Sequence, residues 1–410
     1  MSRLAAHADV MLVLLSPLYF IWPHAKTLLL TQSVVLALGA IFVYLIAKDV
    51  FKNKNWALLF GFLYLMTPAM QWVNLYDFHA VALATTLLLG TFYFLIKRKY
   101  YLMCLFIVLA GTTKEQVWVI TSFFGLPLIF KKQMKTKILG AGIIFFSLLI
   151  FVSLVWKIIP QNSGSEHFAL SYYSEFGDSP TQIVSNVLLS PQKTLPAFFE
   201  KDRTDYIKQL LMPFGFSSFL APVFLVFTVP ELFITLLSNN PQLRQIYYQY
   251  SSTITPFVVI SAIYGTRQFI KWFPKVPQVL IVSYLLFFML YSAYNFGPLP
   301  GAKKPNLAMF TNPQKNKNVI DNFLSKIPEQ YIVAATNNLG SHLSQRQIIY
   351  TLPMGIEKAD VILFLLDDSA WQPGSTPQRE ALNNVEANMN YEEVLRYDNF
   401  AVFKKKDIAL

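Results

Sequence analysis

Cysteine is almost missing from this chain. Cys104 is the only one in 410 residues, which excludes an intrachain disulfide and a Cys-rich zinc site. Charge is also scarce: Asp, Glu, Lys and Arg make up 14% of the chain, against about 25% in soluble domains. No sequence repeat and no low-complexity tract occurs. No Gly-rich phosphate loop follows any strand-like run, so a nucleotide site is unsupported. A cleaved signal peptide is disfavoured as well. Arg3 and the apolar run Val10–Trp22 resemble one, but Trp-Pro-His-Ala-Lys stands where small residues would guide cleavage.

What the chain has instead is apolar surface. Hydrophobic residues make up 54% and aromatics 16%, and several runs approach or exceed the roughly 17–25 residues that span a bilayer. The chain reads as an α-helical polytopic membrane protein. Its net charge of +11 would suit a nucleic-acid partner only if it clustered on a soluble face. Residues 1–297 hold 22 Lys/Arg against 11 Asp/Glu, whereas residues 298–410 hold 12 of each. The excess therefore lies among the apolar runs, where it reports topology, and no nucleic-acid partner is expected.

Spans and charges together predict about ten transmembrane helices. Thr27–Ala47 crosses to Lys48, Lys52 and Lys54, Trp56–Trp72 returns, and Ala80–Ile96 crosses to Lys97, Arg98 and Lys99. Tyr101–Phe130 is interrupted by Gly-Thr-Thr-Lys-Glu and flanked by basic clusters, so it reads as two short helices joined at Lys114-Glu115. Ile138–Ile159 crosses next, followed by a polar loop over 160–205. Tyr206–Leu237, punctuated by Pro213, Pro222 and Pro230, reads as a down-and-up pair, and Ser252–Phe269 and Val279–Phe296 complete the set. The positive-inside rule places the Lys/Arg clusters in the cytoplasm. Loops 1–26 and 160–205, with Asp77, His79, Lys114, Glu115, Arg244 and everything after Pro298, then face outward.

Residues 1–297 thus form the transmembrane domain, and residues 298–410 change character. Gln330–Ala335, Gln347–Leu352 and Val361–Leu366 are short β-forming runs. Asn338–Ser344 and Pro377–Val385 read as helices between them, and Tyr391–Tyr397 with Phe400–Lys404 as a closing hairpin. This pattern predicts a small extracytoplasmic α/β domain.

Ionisable groups at membrane depth cost about 2.5–3.5 kcal/mol at a helix centre on insertion scales, so each needs a reason. Lys114 and Glu115 read either as a structural ion-pair network or as groups in a wet cavity holding a charged ligand. Asp77 precedes an apolar helix and suits an N-cap. With His79 two residues on, it also suits a cavity in which Asp orients the imidazole or acts as a base. His7 and Asp9 repeat that composition before Val10–Trp22, a run short enough to lie along the interface. Two outward loops each carrying His and Asp could supply a base or bind a divalent metal, but no tight ligand spacing marks a metal site. In Gln242–Tyr250, Arg244 is a candidate for gripping phosphate. Tyr247, Tyr248 and Tyr250 suit an interfacial belt, and Tyr248 is also a candidate substrate contact.

Six stretches resemble the prokaryotic membrane-protein family catalogued as domain of unknown function 2079. They are RLAAHADVMLVLLSPLYFIWP, TLLLTQSVVLALGA, YDFHAVALA, TTKEQVWV, YYQYSSTITPFVVISAIYG and NNLGSHLSQRQIIYTLP, in family order through nearly the whole chain. That family in turn resembles the GT-C superfamily of multi-spanning glycosyltransferases, which take a sugar from a polyprenyl-phosphate carrier on the outer face and often use an acidic residue of the first outer loop as base. The resemblance implies that Asp9, Asp77, His79 and Glu115 line one outward cavity. It also implies an additional span and outer loop ahead of the His-x-Asp motif, which here lies six residues from Met1.

Two classes of function remain open. In one, a GT-C-like transferase moves a sugar from a lipid-phosphate donor to an acceptor: Asp9 or Asp77 deprotonates the acceptor, His79 orients, and Lys114 or Arg244 offsets charge on the leaving phosphate. In the other, the same buried charges form a pathway in a transporter or flippase for a lipid-linked or anionic solute. The expected partners are membrane lipid and a lipid-linked sugar. A transferase needs a one-sided cavity lined by a carboxylate, and a transporter needs pseudo-symmetric halves.

Overall fold

A computed structural model describes Leu4 and residues 7–164, 168–177, 179–366 and 375–409. The chain divides into two compact units, Met1–Pro17 with Leu28–Leu307 and Leu18–Thr27 with Ala308–Leu410.

The first unit is helical. Among the described residues three helices are long and apolar enough to cross a membrane: Lys26–Phe51, Met134–Ser163 and Gln278–Phe296. A fourth crossing is available if Lys54–Met66 and Pro68–Leu75, bent by 49° at their junction, count as one span. The bend falls at Pro68, whose ring ends the preceding helix. Ten strong spans are therefore not found. Ala80–Ile96, Tyr100–Gly111, Val117–Ile129 and Pro222–Leu237 are apolar but short, and several are broken for local reasons. The run that reads as a down-and-up pair begins as a helix, Lys201–Leu211. It then breaks into 3₁₀ turns at Met212–Phe214, Ser217–Leu220 and Pro222–Thr228 before Val229–Leu237 resumes the α-helix. Pro213 and Pro222 each lack the N–H that an α-helix needs, which favours short pieces.

These short helices form the core of the unit. Ala80–Ile96 is buried along most of its length, and Tyr64 is fully buried with its hydroxyl donating to Leu36 O at 2.9 Å. Phe227 stacks on Phe257 at 4.8 Å and lies 4.9 Å from Phe124. Those rings join the Phe123–Ile129 leg, the Pro222–Leu237 segment and the helix Thr255–Trp272. The interruption in Tyr101–Phe130 falls where the sequence places it: Tyr100–Gly111 ends, residues 112–116 form a turn, and Val117–Ser122 begins the second leg. Lys114 and Glu115 sit on that turn.

The second unit holds a five-stranded sheet: β1 (Val333–Ala335), β2 (Ile349–Thr351), β3 (Val361–Leu365), β4 (Tyr391–Tyr397) and β5 (Phe400–Lys405). Their order is β2-β1-β3-β5-β4. β1 pairs parallel with β2 and β3, while β5 pairs antiparallel with β3 and β4. Helix Asn337–Leu343 makes the β1-to-β2 crossover that parallel neighbours require. Alternation along the strands builds a core on each face. Val361, Leu363, Leu365, Phe400 and Val402 pack with Ile320, Leu339 and Leu343. Ile362, Phe364, Ala401 and Phe403 pack with Ala381, Leu382 and Val385 of helix Ser375–Glu386.

Candidate functional site

The turn at residues 112–116 gathers the N-terminal segment. Met11 N–H donates to Thr112 O at 2.8 Å. Glu115, 4% exposed, uses both carboxylate oxygens: Oε1 lies 2.9 Å from His7 Nδ1, and Oε2 accepts from Ala8 N–H at 3.1 Å. Asp9 is thereby carried inward and is 9% exposed. The Glu115 carboxylate is thus tied to the N-terminal segment at the wall of a cavity.

That cavity has a volume of about 370 Å³. Its lining includes His7, Asp9, His79, Lys114, Glu115 and Glu231. Three well-separated segments therefore bring five of the sequence-selected residues together. Lys114 Nζ stands 5.8 Å from the centre of the Tyr250 ring, which also faces the cavity. Burial, with smaller contributions from Tyr172, Tyr76 and Tyr248, pushes the Tyr250 phenol up to about 12, so its hydroxyl keeps its proton at neutral pH.

The remaining selected residues lie elsewhere. Asp77 is exposed and is not part of the cavity lining. Nor does it cap the following helix: the N-cap position is His79, whose side chain makes no cap hydrogen bond. Instead His79 Nδ1 lies 2.9 Å from Asp77 O, the His79 N–H donates to Gln32 Oε1 at 3.1 Å, and the ring stacks on Tyr76 at 5.4 Å. Gln32, on helix Lys26–Phe51, satisfies the backbone donor of the N-cap residue from a neighbouring helix. Tyr248 contacts Tyr76 edge-on at 5.1 Å and leans on Tyr250 at 6.3 Å, linking the His79 stack to the cavity without lining it. Arg244 donates from Nε to Asp202 Oδ2 at 2.7 Å and from Nη1 to Ser238 O. Its guanidinium is thus held in the wall structure outside the lining.

Sequence reasoning missed Glu231, which is 2% exposed and lines the cavity. The signal was present: Glu231 is the only ionisable side chain between Lys208 and Arg244, and a lone acid in an apolar run calls for a function. Lys114, Thr253, Gln116 and Glu115 are the groups that act on its carboxyl. Gln249, 8% exposed, lines the cavity too. Among the described residues no group of three or more His, Cys, Asp or Glu is placed to hold a metal ion.

Residues 1–402 match the family described as "Predicted membrane protein (DUF2079)". The chain belongs to the DUF2079 family of predicted membrane proteins. No curated protein matches it. The family match covers the first compact unit, most of the second and every residue of the cavity.

Proposed function

We propose that this DUF2079 protein is a GT-C-like membrane glycosyltransferase that moves a sugar from a polyprenyl-phosphate carrier to an acceptor hydroxyl. It works in the cell membrane, with the cavity and the C-terminal unit facing outward. The observation that carries this reading is the meeting of Asp9, Glu115, Lys114, His7 and His79, from three separate segments, in one cavity of about 370 Å³.

In this mechanism Asp9 accepts the proton of the acceptor hydroxyl as its oxygen attacks the anomeric carbon. The bond from that carbon to the phosphate oxygen breaks, and the electron pair leaves with the polyprenyl phosphate. Lys114 offsets the charge that develops on the phosphate. Glu115 acts through His7 and the Ala8 N–H, fixing the segment that carries Asp9, and is a positioning residue. Asp77, exposed and outside the lining, drops out as the base in this account.

The test is a transfer assay in membranes containing the chain, offered a panel of polyprenyl-phosphate sugars. Consumption of one donor, with free polyprenyl phosphate released, supports the reading. A well-folded protein that consumes none contradicts it, and flux of a lipid-linked or anionic solute would then be measured.

A further inference from the structure

The cavity lining presents hydrogen-bond acceptors that no described residue satisfies. Among the described residues, Glu231 Oε2 and Gln249 Oε1 are both buried and without a hydrogen-bond partner. Buried polar atoms in folded proteins are nearly always paired, so an orphaned pair beside one cavity marks what its ligand must bring. The complement of two acceptors is a group that donates at least two hydrogen bonds.

Ligand classes separate on that requirement. A phosphate offers mainly acceptor oxygens. A prenyl tail offers no donor at all. An ammonium group could donate, but Lys114 already supplies the opposite charge acting most strongly on Glu231, so a second cation is not needed for charge balance. A neutral pair of neighbouring hydroxyls fits: Glu231 Oε2 accepts from one and the Gln249 carbonyl from the other. The surrounding wall supplies Tyr172, Tyr173 and Tyr250, whose faces suit the C–H side of a pyranose ring.

We propose that Glu231 and Gln249 form the subsite that reads the hydroxyl pattern of the transferred sugar, and so determine which sugar is accepted. The inference rests on the reading of this cavity as a sugar-transfer site. It assigns to Glu231 recognition of the ring, leaving proton transfer to Asp9 and phosphate charge to Lys114.

The experiment uses the detergent-solubilised full chain and saturation-transfer NMR. Probes are the methyl glycosides of glucose, galactose and mannose, inorganic phosphate and n-propylamine. Wild type is compared with Glu231→Gln and Gln249→Met, both near-isosteric, with thermal melts to establish folding; either folded variant suffices. The expected result is binding of at least one glycoside, weakened by about tenfold in each variant, with phosphate binding unchanged. Glycoside binding that is absent, or equal in wild type and a folded variant, overturns the subsite, as does Glu231-dependent binding of the amine alone. The parent reading fails separately. Glu231-dependent glycoside binding in a protein that transfers nothing removes the transferase and keeps the subsite. Transfer with unchanged sugar preference in Glu231→Gln removes the subsite and keeps the transferase.

Discussion

His7 Nδ1 stands 2.9 Å from Glu115 Oε1, although 108 residues of chain separate the two. With the Ala8 N–H on the other carboxylate oxygen, this side chain, together with the Met11–Thr112 backbone bond, holds the segment that carries Asp9 to the cavity. The Glu115 side chain is 6% exposed, so its bonds are shielded from water, and hydrogen bonds to a charged group contribute about 1.5–3 kcal/mol each. Glu115→Ala should release residues 7–11 while leaving the helical core intact. Hydrogen exchange at Ala8 and Met11 checks this: faster exchange there with an unchanged core is expected, and unchanged protection contradicts it.

Lys114 is the sequence-selected cation that reaches the cavity, since Arg244 is held by Asp202 and Ser238. Lys114→Met keeps the stem and removes the charge. It should lower the transfer rate by about 10²–10³-fold, the scale seen when one transition-state charge stabiliser is lost. Arg244→Met should reduce activity only in step with any loss of folded protein. Rates measured per folded molecule separate the two.

The Asp202–Arg244 pair predicts a pH effect. Burial alone would push the Asp202 carboxyl up, but the Arg244 hydrogen bond and charge, helped by the Arg203 N–H and guanidinium, outweigh it and hold the group below its usual value. A depressed carboxylate stabilises the fold fully above its unfolded value of about 3.9, and that contribution is lost as pH falls through the lower folded value. The difference in Tm between wild type and Asp202→Asn should therefore be positive near about pH 6 and shrink as pH falls below about 4. A difference that grows on acidification contradicts the assignment.

Gly125 and Gly140 meet where the second leg, Val117–Ile129, packs against Met134–Ser153. A Cβ on Gly140 would lie 2.7 Å from Gly125 O and 2.8 Å from Leu128 Cβ, and one on Gly125 would collide with Gly140 O. Close helix approach through small residues is a principal means of packing within membranes. Gly140→Val should cost about 1–3 kcal/mol, the range for overpacking, read as a lower Tm. Gly142→Val should be near neutral, because a Cβ there meets nothing within 4 Å.

How much of this was legible depended on the kind of signal. The C-terminal sheet was, because its strands alternate or run apolar over a few residues and are bounded by polar helices, so each element carries its own period. The break at Lys114-Glu115 was legible because two charges cannot continue an apolar helix without a partner. The count of crossings was not. Ala80–Ile96 and Pro222–Leu237 are as apolar as spans, yet they are short, and hydropathy alone cannot distinguish a buried core helix from a crossing. The tie at the start of Ala80–Ile96 was hidden for another reason: Gln32 reaches the His79 N–H from 47 residues away, a contact that no local pattern encodes. Glu231 and Gln249 meet the residues of the 112–116 turn only in the folded cavity lining, which is likewise a tertiary fact.

The most direct measurement compares sugar transfer by wild type, Asp9→Asn and Asp77→Asn in membranes, each corrected for folded protein. This account predicts that Asp9→Asn loses about 10²–10⁴-fold in rate, the scale of a missing general base, while Asp77→Asn stays close to wild type. Full activity in Asp9→Asn, or loss confined to Asp77→Asn, would contradict it.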